Sequence, residues 1–191
     1  MVTRETEVKI RNINKETIIR RLEQIGAKKV FEGRVLDYRF DTPSRTLSKQ
    51  GKALRIRQKG KLFYLTLKGK KKSFENITSR DEIGIRISNF KIAYRILNEL
   101  GFIKIFELEK HRTEYRINNC NFDIDEYFGM PPILEIEGKV EEIEKYIEKL
   151  KIKKENLGRI YIREILEAKK KYDRKKRNLE NNKEKENNNN N

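Results

Sequence analysis

Apolar and polar positions alternate with a period of two along most of this chain. The rhythm is interrupted by a few stretches with helical spacing. Residues 3–11 read as a strand, with Glu5, Glu7 and Lys9 on one face and Val8 and Ile10 on the other. Asn14 is placed to cap a helix and Gly26 to stop it, with Ile18, Leu22 and Ile25 as the apolar stripe between them. Residues 28–41 are extended, and Thr42-Pro43-Ser44 is a turn. Leu54 and Ile56 alternate with Arg55 and Arg57. Beyond Gly60, Phe63, Leu65 and Leu67 alternate with Tyr64, Thr66 and Lys68, which predicts a hairpin. Lys70-Lys71-Lys72-Ser73 reads as a basic loop and residues 80–87 as a strand. Residues 89–100 predict a helix with Ile92, Ile96, Leu97 and Leu100 inward and Gly101 at its end. Residues 102–117 are extended, Asn118-Asn119 signals a tight turn, and residues 120–127 and 132–138 are the last strands. Residues 140–150 are amphipathic, and residues 157–172 are expected to be helical.

These patterns give about eight strands in antiparallel order. The helices near 14–26 and 89–100 occupy corresponding places in two halves, each after a strand and before a long extended pair, which hints at an internal duplication. Strand parity then sorts the charges. Glu5, Glu7 and Lys9 share a face, as do Arg55 with Arg57, Lys110 with Arg112, Asp123 with Asp125, and Glu135 with Glu137. Lys68 lies opposite Leu65 and Leu67. Any one such strand fits a sheet with a solvated face. As a set, acids collect on the first and last strands and cations on the middle ones. The amphipathic helices also need an aliphatic sheet face to cover. Both conditions are met if the sheet closes, putting helices outside and charges in the lumen. The expected class is α+β, an eight-stranded antiparallel β-barrel with helices packed outside, just wide enough to hold one small ligand.

Composition sharpens this picture. The chain has 191 residues, 40% charged and 36% hydrophobic, and a formal net charge of +16. Residues 168–191 hold nine Lys/Arg and four Asp/Glu, so the remaining body carries +11. A basic body implies an anionic partner. One cysteine and one histidine exclude an intrachain disulfide and a Cys/His metal cluster. No apolar run approaches the length of a membrane span, and no apolar signal region opens the chain. The expectation is a soluble cytoplasmic protein. Residues 173–191, charged and then rich in asparagine, are expected to form a disordered tail.

Guanidinium and ammonium groups converging in an enclosure repel unless an anion lies among them. Arg55 and Arg57 suit bidentate grips on phosphate oxygens. Carboxylates beside a phosphate need a divalent cation between, and Glu5, Glu7, Glu135 and Glu137 are the hard oxygen donors that magnesium or manganese takes. Acids for metal and cations for phosphate are the parts of phosphoryl transfer by positioning and charge neutralisation. His111, between inward-facing Lys110 and Arg112, points outward. Cys120 is expected to be a partly buried thiol.

These residues resemble the CYTH superfamily of triphosphate tunnel metalloenzymes, which includes class IV adenylyl cyclases, thiamine triphosphatases and inorganic triphosphatases. The resemblance begins at Glu5-x-Glu7-x-Lys9 and continues through Asp37-Tyr38-Arg39-Phe40-Asp41-Thr42-Pro43, Leu54-Arg55-Ile56-Arg57, Leu67-Lys68-Gly69, Lys110-His111-Arg112, Asp125-Glu126 and Leu134-Glu135-Ile136-Glu137. It implies a domain over residues 1–172 with a triphosphate threaded through a tunnel beside Mg2+ or Mn2+. It implies that Glu5, Glu7 and Lys9 are catalytic. Lys9, Arg55, Arg57, Lys68, Lys110 and Arg112 are then substrate ligands, and Glu5, Glu7, Asp125, Glu135 and Glu137 are metal-side acids. One departure lies in the strand at residues 80–86, where Gly84 and Arg86 stand at places that often carry acids in the cyclase-like branch.

The activity implied is a metal-dependent triphosphatase acting on an inorganic, thiamine or nucleoside triphosphate. A class IV adenylyl cyclase would use the same lumen, with a ribose 3′-hydroxyl attacking the α-phosphorus. A non-catalytic binder of polyphosphate or nucleic acid would explain the net charge but not the lumen glutamates. The expected partner is a triphosphate-containing small molecule, with nucleic acid disfavoured and no membrane, and the chain acting as a monomer or homodimer.

Overall fold

A computed structural model describes residues 2–189, with the backbone alone for Leu179 and residues 181–189. In chain order it contains β1 (Val2–Ile10), α1 (Lys15–Gln24), β2 (Lys28–Asp41), α2 (Thr46–Lys49), β3 (Ala53–Lys59), β4 (Leu62–Lys68), β5 (Lys72–Phe74) and β6 (Ile77–Ile87). Then come α3 (Phe90–Glu99), β7 (Ile103–Ile117), β8 (Cys120–Glu126), β9 (Ile133–Glu137), α4 (Val140–Lys149) and α5 (Ile162–Asn189). The strands run β1-β9-β8-β7-β2-β3-β4-β6, and β1 pairs with β6 to close the ring. All pairings are antiparallel, so the architecture is an eight-stranded barrel with helices outside. The short β5 adds a ribbon to β6 within what the sequence reads as a basic loop; three residues are too few for the alternation to show.

Local chemistry sets the ends of α1 and α3. Asn14 accepts a hydrogen bond from the Thr17 amide at 2.8 Å, and Asn89 accepts one from the Ile92 amide at 3.1 Å. Gly26 and Gly101 take φ of 85° and 84° just past the helix ends, a conformation that costs glycine little. Asp41 organises the turn after β2, accepting from the amides of Thr42, Leu47 and Ser48 at 2.8–2.9 Å.

Two apolar clusters lie between the barrel's outer face and the helices. The larger joins Val8, Ile10, Phe122, Ile124, Leu134 and Ile136 to Ile18 and Leu22 of α1 and Ile143 and Tyr146 of α4. The smaller joins Phe40, Leu54 and Ile56 to Ala93 and Leu97 of α3. Around it Phe90 packs tilted against Tyr38, ring centres 4.7 Å apart, and Tyr94 meets Phe40 edge-on at 5.2 Å. The alternate strand positions turn inward and carry most of the charges.

Two sequence expectations are corrected. Leu97 of α3 packs inward, but Ile92, Ile96 and Leu100 are 56%, 53% and 67% exposed. The apolar arc of α3 is two stripes wide, and the barrel wall takes the stripe carrying Phe90, Ala93, Tyr94 and Leu97. Cys120 is fully rather than partly buried, with its thiol pushed up to about 11 by burial and by Glu142. In addition, α5 continues to Asn189 through the segment whose composition suggests a disordered tail. Its charges form spaced pairs, Lys169–Asp173 and Lys176–Glu180, that support a helix locally. Among the described residues no helix is long and apolar enough to cross a membrane.

Phe122 is fully buried and meets the Tyr146 ring edge-on at 5.1 Å. Phe122→Ala is expected to lower stability by about 3–5 kcal/mol in urea unfolding. Ile96→Ala, on the exposed stripe, is expected to stay within about 0.5 kcal/mol of the wild type.

Candidate active site

Inward positions of the strands line a cavity of about 290 Å³. Strands β1, β8 and β9 bring mostly acids to it, and β3, β4 and β7 mostly cations. Strands β2 and β6 mix the two signs, with Asp37, Arg39, Arg80 and Glu82. Ile160, Ile162 and Ile165, at and before the start of α5, also line it. The C-terminal helix thus meets one end of the lumen with aliphatic surface.

Three carboxylates form one corner. Glu5, Glu7 and Glu135 each present an oxygen within 4.8 Å of the others. Lys9 lies 2.8 Å from Glu135 and 3.5 Å from Glu7. Burial pushes Glu7 up to about 7, reinforced by Glu135. Burial also opposes ionisation of Glu5, but Lys68 and Arg80 hold it down at about 2. Glu135 is likewise held well below the usual carboxylate range against burial, chiefly by Lys9. One corner therefore holds two committed anions and a third group that resists ionising.

The remaining cations are mostly tied to acids. Arg57 donates to both oxygens of Asp37 at 2.6 and 2.7 Å, and Arg55 lies 3.5 Å from the same carboxylate. Arg112 donates to both oxygens of Asp125 at 2.6 and 2.7 Å and also pairs with Asp123. Lys110 donates to Asp125 at 2.6 Å; burial and Arg112 lower it to about 8. Lys68 bridges Glu5 and Glu82, the latter at 2.6 Å, and Arg80 donates to Glu5 at 2.8 Å. A buried charge without such partners costs several kcal/mol, so the pairing keeps the lumen folded before any ligand arrives.

The site residues expected from the sequence line this lumen, except Glu7, which lies beside its Glu5 and Glu135. Glu5, Glu7, Lys9 and Glu135 meet at the acidic corner. Arg55, Arg57, Lys68, Lys110 and Arg112 form the cationic wall. Asp125 is enclosed by Lys110 and Arg112 rather than standing with the three glutamates. Glu137 lines the cavity outside that trio, pushed up to about 7 by burial and by Glu5. Sequence reasoning did not single out Arg39, Arg80 or Asp123 for a role in the site. The same parity finds them, because Arg39 alternates with Tyr38 and Phe40, Arg80 shares a face with Glu82, and Asp123 with Asp125. Glu82 serves as a partner of Lys68, and at Gly84 bare backbone faces Thr66 and Glu82. His111 is 45% exposed, 3.4 Å from Glu126 and outside the lumen.

The CYTH domain family model matches residues 3–176. A Methanocaldococcus jannaschii protein, named as a candidate adenylate cyclase, is 27% identical over 166 residues, covering 81% of this chain and 94% of its own. The solved structure of a candidate adenylate cyclase from Vibrio parahaemolyticus superposes with a TM-score of 0.73 at 21% identity, covering 85% of this chain and 97% of that one. That of a Hippeastrum protein, a candidate adenylyl cyclase for which a dominant triphosphatase activity is stated, superposes at 0.57 and 20%, covering 78% and 88%. At these identities the two structures establish a shared fold.

Glu7 and Glu137 are expected to give the protein a pH-dependent stability. Their folded-state values of about 7 lie above the ordinary 4.5. Between these values the folded chain binds more protons than the unfolded chain, so the stability contributed by these groups falls as pH rises through the window. Melting in the presence of a chelator is expected to show this decline, and Glu137→Gln is expected to flatten it.

Proposed function

The chain belongs to the CYTH domain family of triphosphate-acting enzymes, and we propose that within it the protein is a metal-dependent triphosphatase, releasing phosphate from an inorganic, thiamine or nucleoside triphosphate. The observation that carries this reading is the juxtaposition, in one closed barrel, of the Glu5/Glu7/Glu135 corner with a wall of buried cations.

The donor set suits Mg2+ or Mn2+. All three groups are hard oxygen donors, and the reluctance of Glu7 to ionise beside Glu135 is a repulsion that a divalent cation relieves. When bound, the ion supplies charge neutralisation at the phosphate oxygens and a more acidic bound water. Lys9 sits with Glu135 and Glu7, and were a cation to engage these acids its ammonium would be available to a phosphate oxygen. Arg55, Arg57, Lys68, Lys110 and Arg112 fix the polyphosphate by charge-assisted hydrogen bonds, with the arginines suited to bidentate grips. Asp37 and Asp125 hold those guanidinium groups in place beforehand, so little reorganisation is needed when charge develops. Ile160, Ile162 and Ile165 at one end of the cavity favour a compact substrate and attack by water at the terminal phosphorus.

The name of the Methanocaldococcus relative favours a second reading, cyclisation of ATP to cyclic AMP and pyrophosphate. A polyphosphate or nucleic-acid binder is the weaker third, since its phosphate grips have no need of carboxylates beside them.

Incubation of the protein with ATP, tripolyphosphate or thiamine triphosphate and Mg2+ or Mn2+ is expected to yield orthophosphate. Cyclic AMP as the main product would transfer the assignment to the cyclase, and absence of turnover on all three would leave the binder. Glu7→Gln is expected to reduce metal-dependent turnover at least about a hundredfold. Its metal-free melting temperature is expected not to fall, because the substitution removes a buried repulsion.

A further inference from the structure

Arg39 stands apart from the other cations of the lumen. It lies directly across the β2–β3 ladder from Arg55, and both side chains line the cavity. Nε and Nη1 of Arg39, and Nε of Arg55, are sealed from solvent without a hydrogen-bond acceptor. The carboxylate closest in register, Asp37, is already engaged at both oxygens by Arg57 and is approached by Arg55 at 3.5 Å. Burial, then Arg55, pulls the Arg39 guanidinium down to about 10.

Arg57, Arg112, Lys110, Lys68 and Lys9 each have a carboxylate within 2.8 Å. Arg39 and Arg55 are two guanidinium groups facing each other with orphan donors and at most a shared, distant acid. Unmet buried N–H donors and like charges side by side are both costly. Neither is needed to hold β2 to β3, whose backbone ladder and outward Phe40, Leu54 and Ile56 already do so. The two groups are arranged for an oxyanion that reaches both, and the planar guanidinium fork matches phosphate oxygens.

We propose that Arg39 and Arg55 form a two-arginine clamp for one phosphoryl group of a linear polyphosphate, making Arg39 a substrate-binding residue. This rests on the triphosphate reading above only for the identity of the anion. Because the clamp's donors are unsatisfied beforehand, its grip does not depend on a metal ion.

The test is isothermal titration of the full chain with tripolyphosphate in the presence of a chelator, for the wild type, Arg39→Gln and Arg39→Lys, alongside metal-free melting of each. The expected result is a tenfold or greater loss of affinity in Arg39→Gln, a smaller loss in Arg39→Lys, and a melting temperature of Arg39→Gln equal to or above that of the wild type. Wild-type binding matched by Arg39→Gln overturns the clamp and leaves the triphosphate reading standing. Affinity lost together with a lowered melting temperature also overturns it, since Arg39 is then a structural residue. Absence of wild-type binding, with no turnover of any triphosphate, overturns both.

Discussion

A lumen that encloses so many ionised groups can exist only if every strand keeps its parity. A slip of one residue in any strand would send its charged row into the aliphatic clusters beneath the helices and its aliphatic row into the lumen. The penalty would fall on several charges at once, each losing a partner while buried. Register is thus fixed from both sides of the wall. The outer face demands Val8, Ile10, Ile56, Phe122, Ile124, Leu134 and Ile136, and the inner face demands the cross-strand pairs Arg57–Asp37 and Arg112–Asp125. The helices seal one face, and charge complementarity organises the other.

The ring order itself is symmetric. Reading around the barrel from β1 gives β1-β9-β8-β7-β2-β3-β4-β6, and exchanging β1, β2, β3 and β4 for β6, β7, β8 and β9 returns the same ring read backwards. The long strands β2 and β7 pair with each other, and β1 pairs with β6. This matches the duplication suggested by the two helices in corresponding places. The two arginine–carboxylate forks fall on corresponding strand pairs with the roles exchanged: acid on β2 and arginine on β3, arginine on β7 and acid on β8. One scaffold, used twice, frames the lumen from two sides.

Much of this was legible in the sequence because a strand's two faces are written in alternate letters. Leu54-Arg55-Ile56-Arg57 and Leu134-Glu135-Ile136-Glu137 declare both which residues are lumenal and that something apolar covers the back. The facing of α3 was not legible. Ile92, Ile96 and Leu100 satisfy helical spacing as well as Ala93 and Leu97 do, and only the shape of the wall decides between them. Cys120 could not be graded by sequence either, since its burial depends on α4, which arrives later in the chain. Arg39 was written in the same alternation as Asp37, but a basic residue on a strand reads as solvated until the ring is seen to close around it.

The lumen is also polarised in a way that argues for what it holds. At the acidic corner Glu7 resists ionising because burial and Glu135 outweigh Lys9, which sits closer to Glu135. Across the β2–β3 ladder Arg39 and Arg55 have donors with nothing to accept them. A simple anion would relieve the second strain and worsen the first. A simple cation would do the reverse. The divalent ion and polyphosphate proposed above would relieve both, with positive charge at the glutamates and negative charge at the guanidinium groups. Between them Arg57, Lys68, Lys110 and Arg112 are already paired with acids. The unsatisfied groups of the barrel are in this sense a negative of the ligand proposed for it.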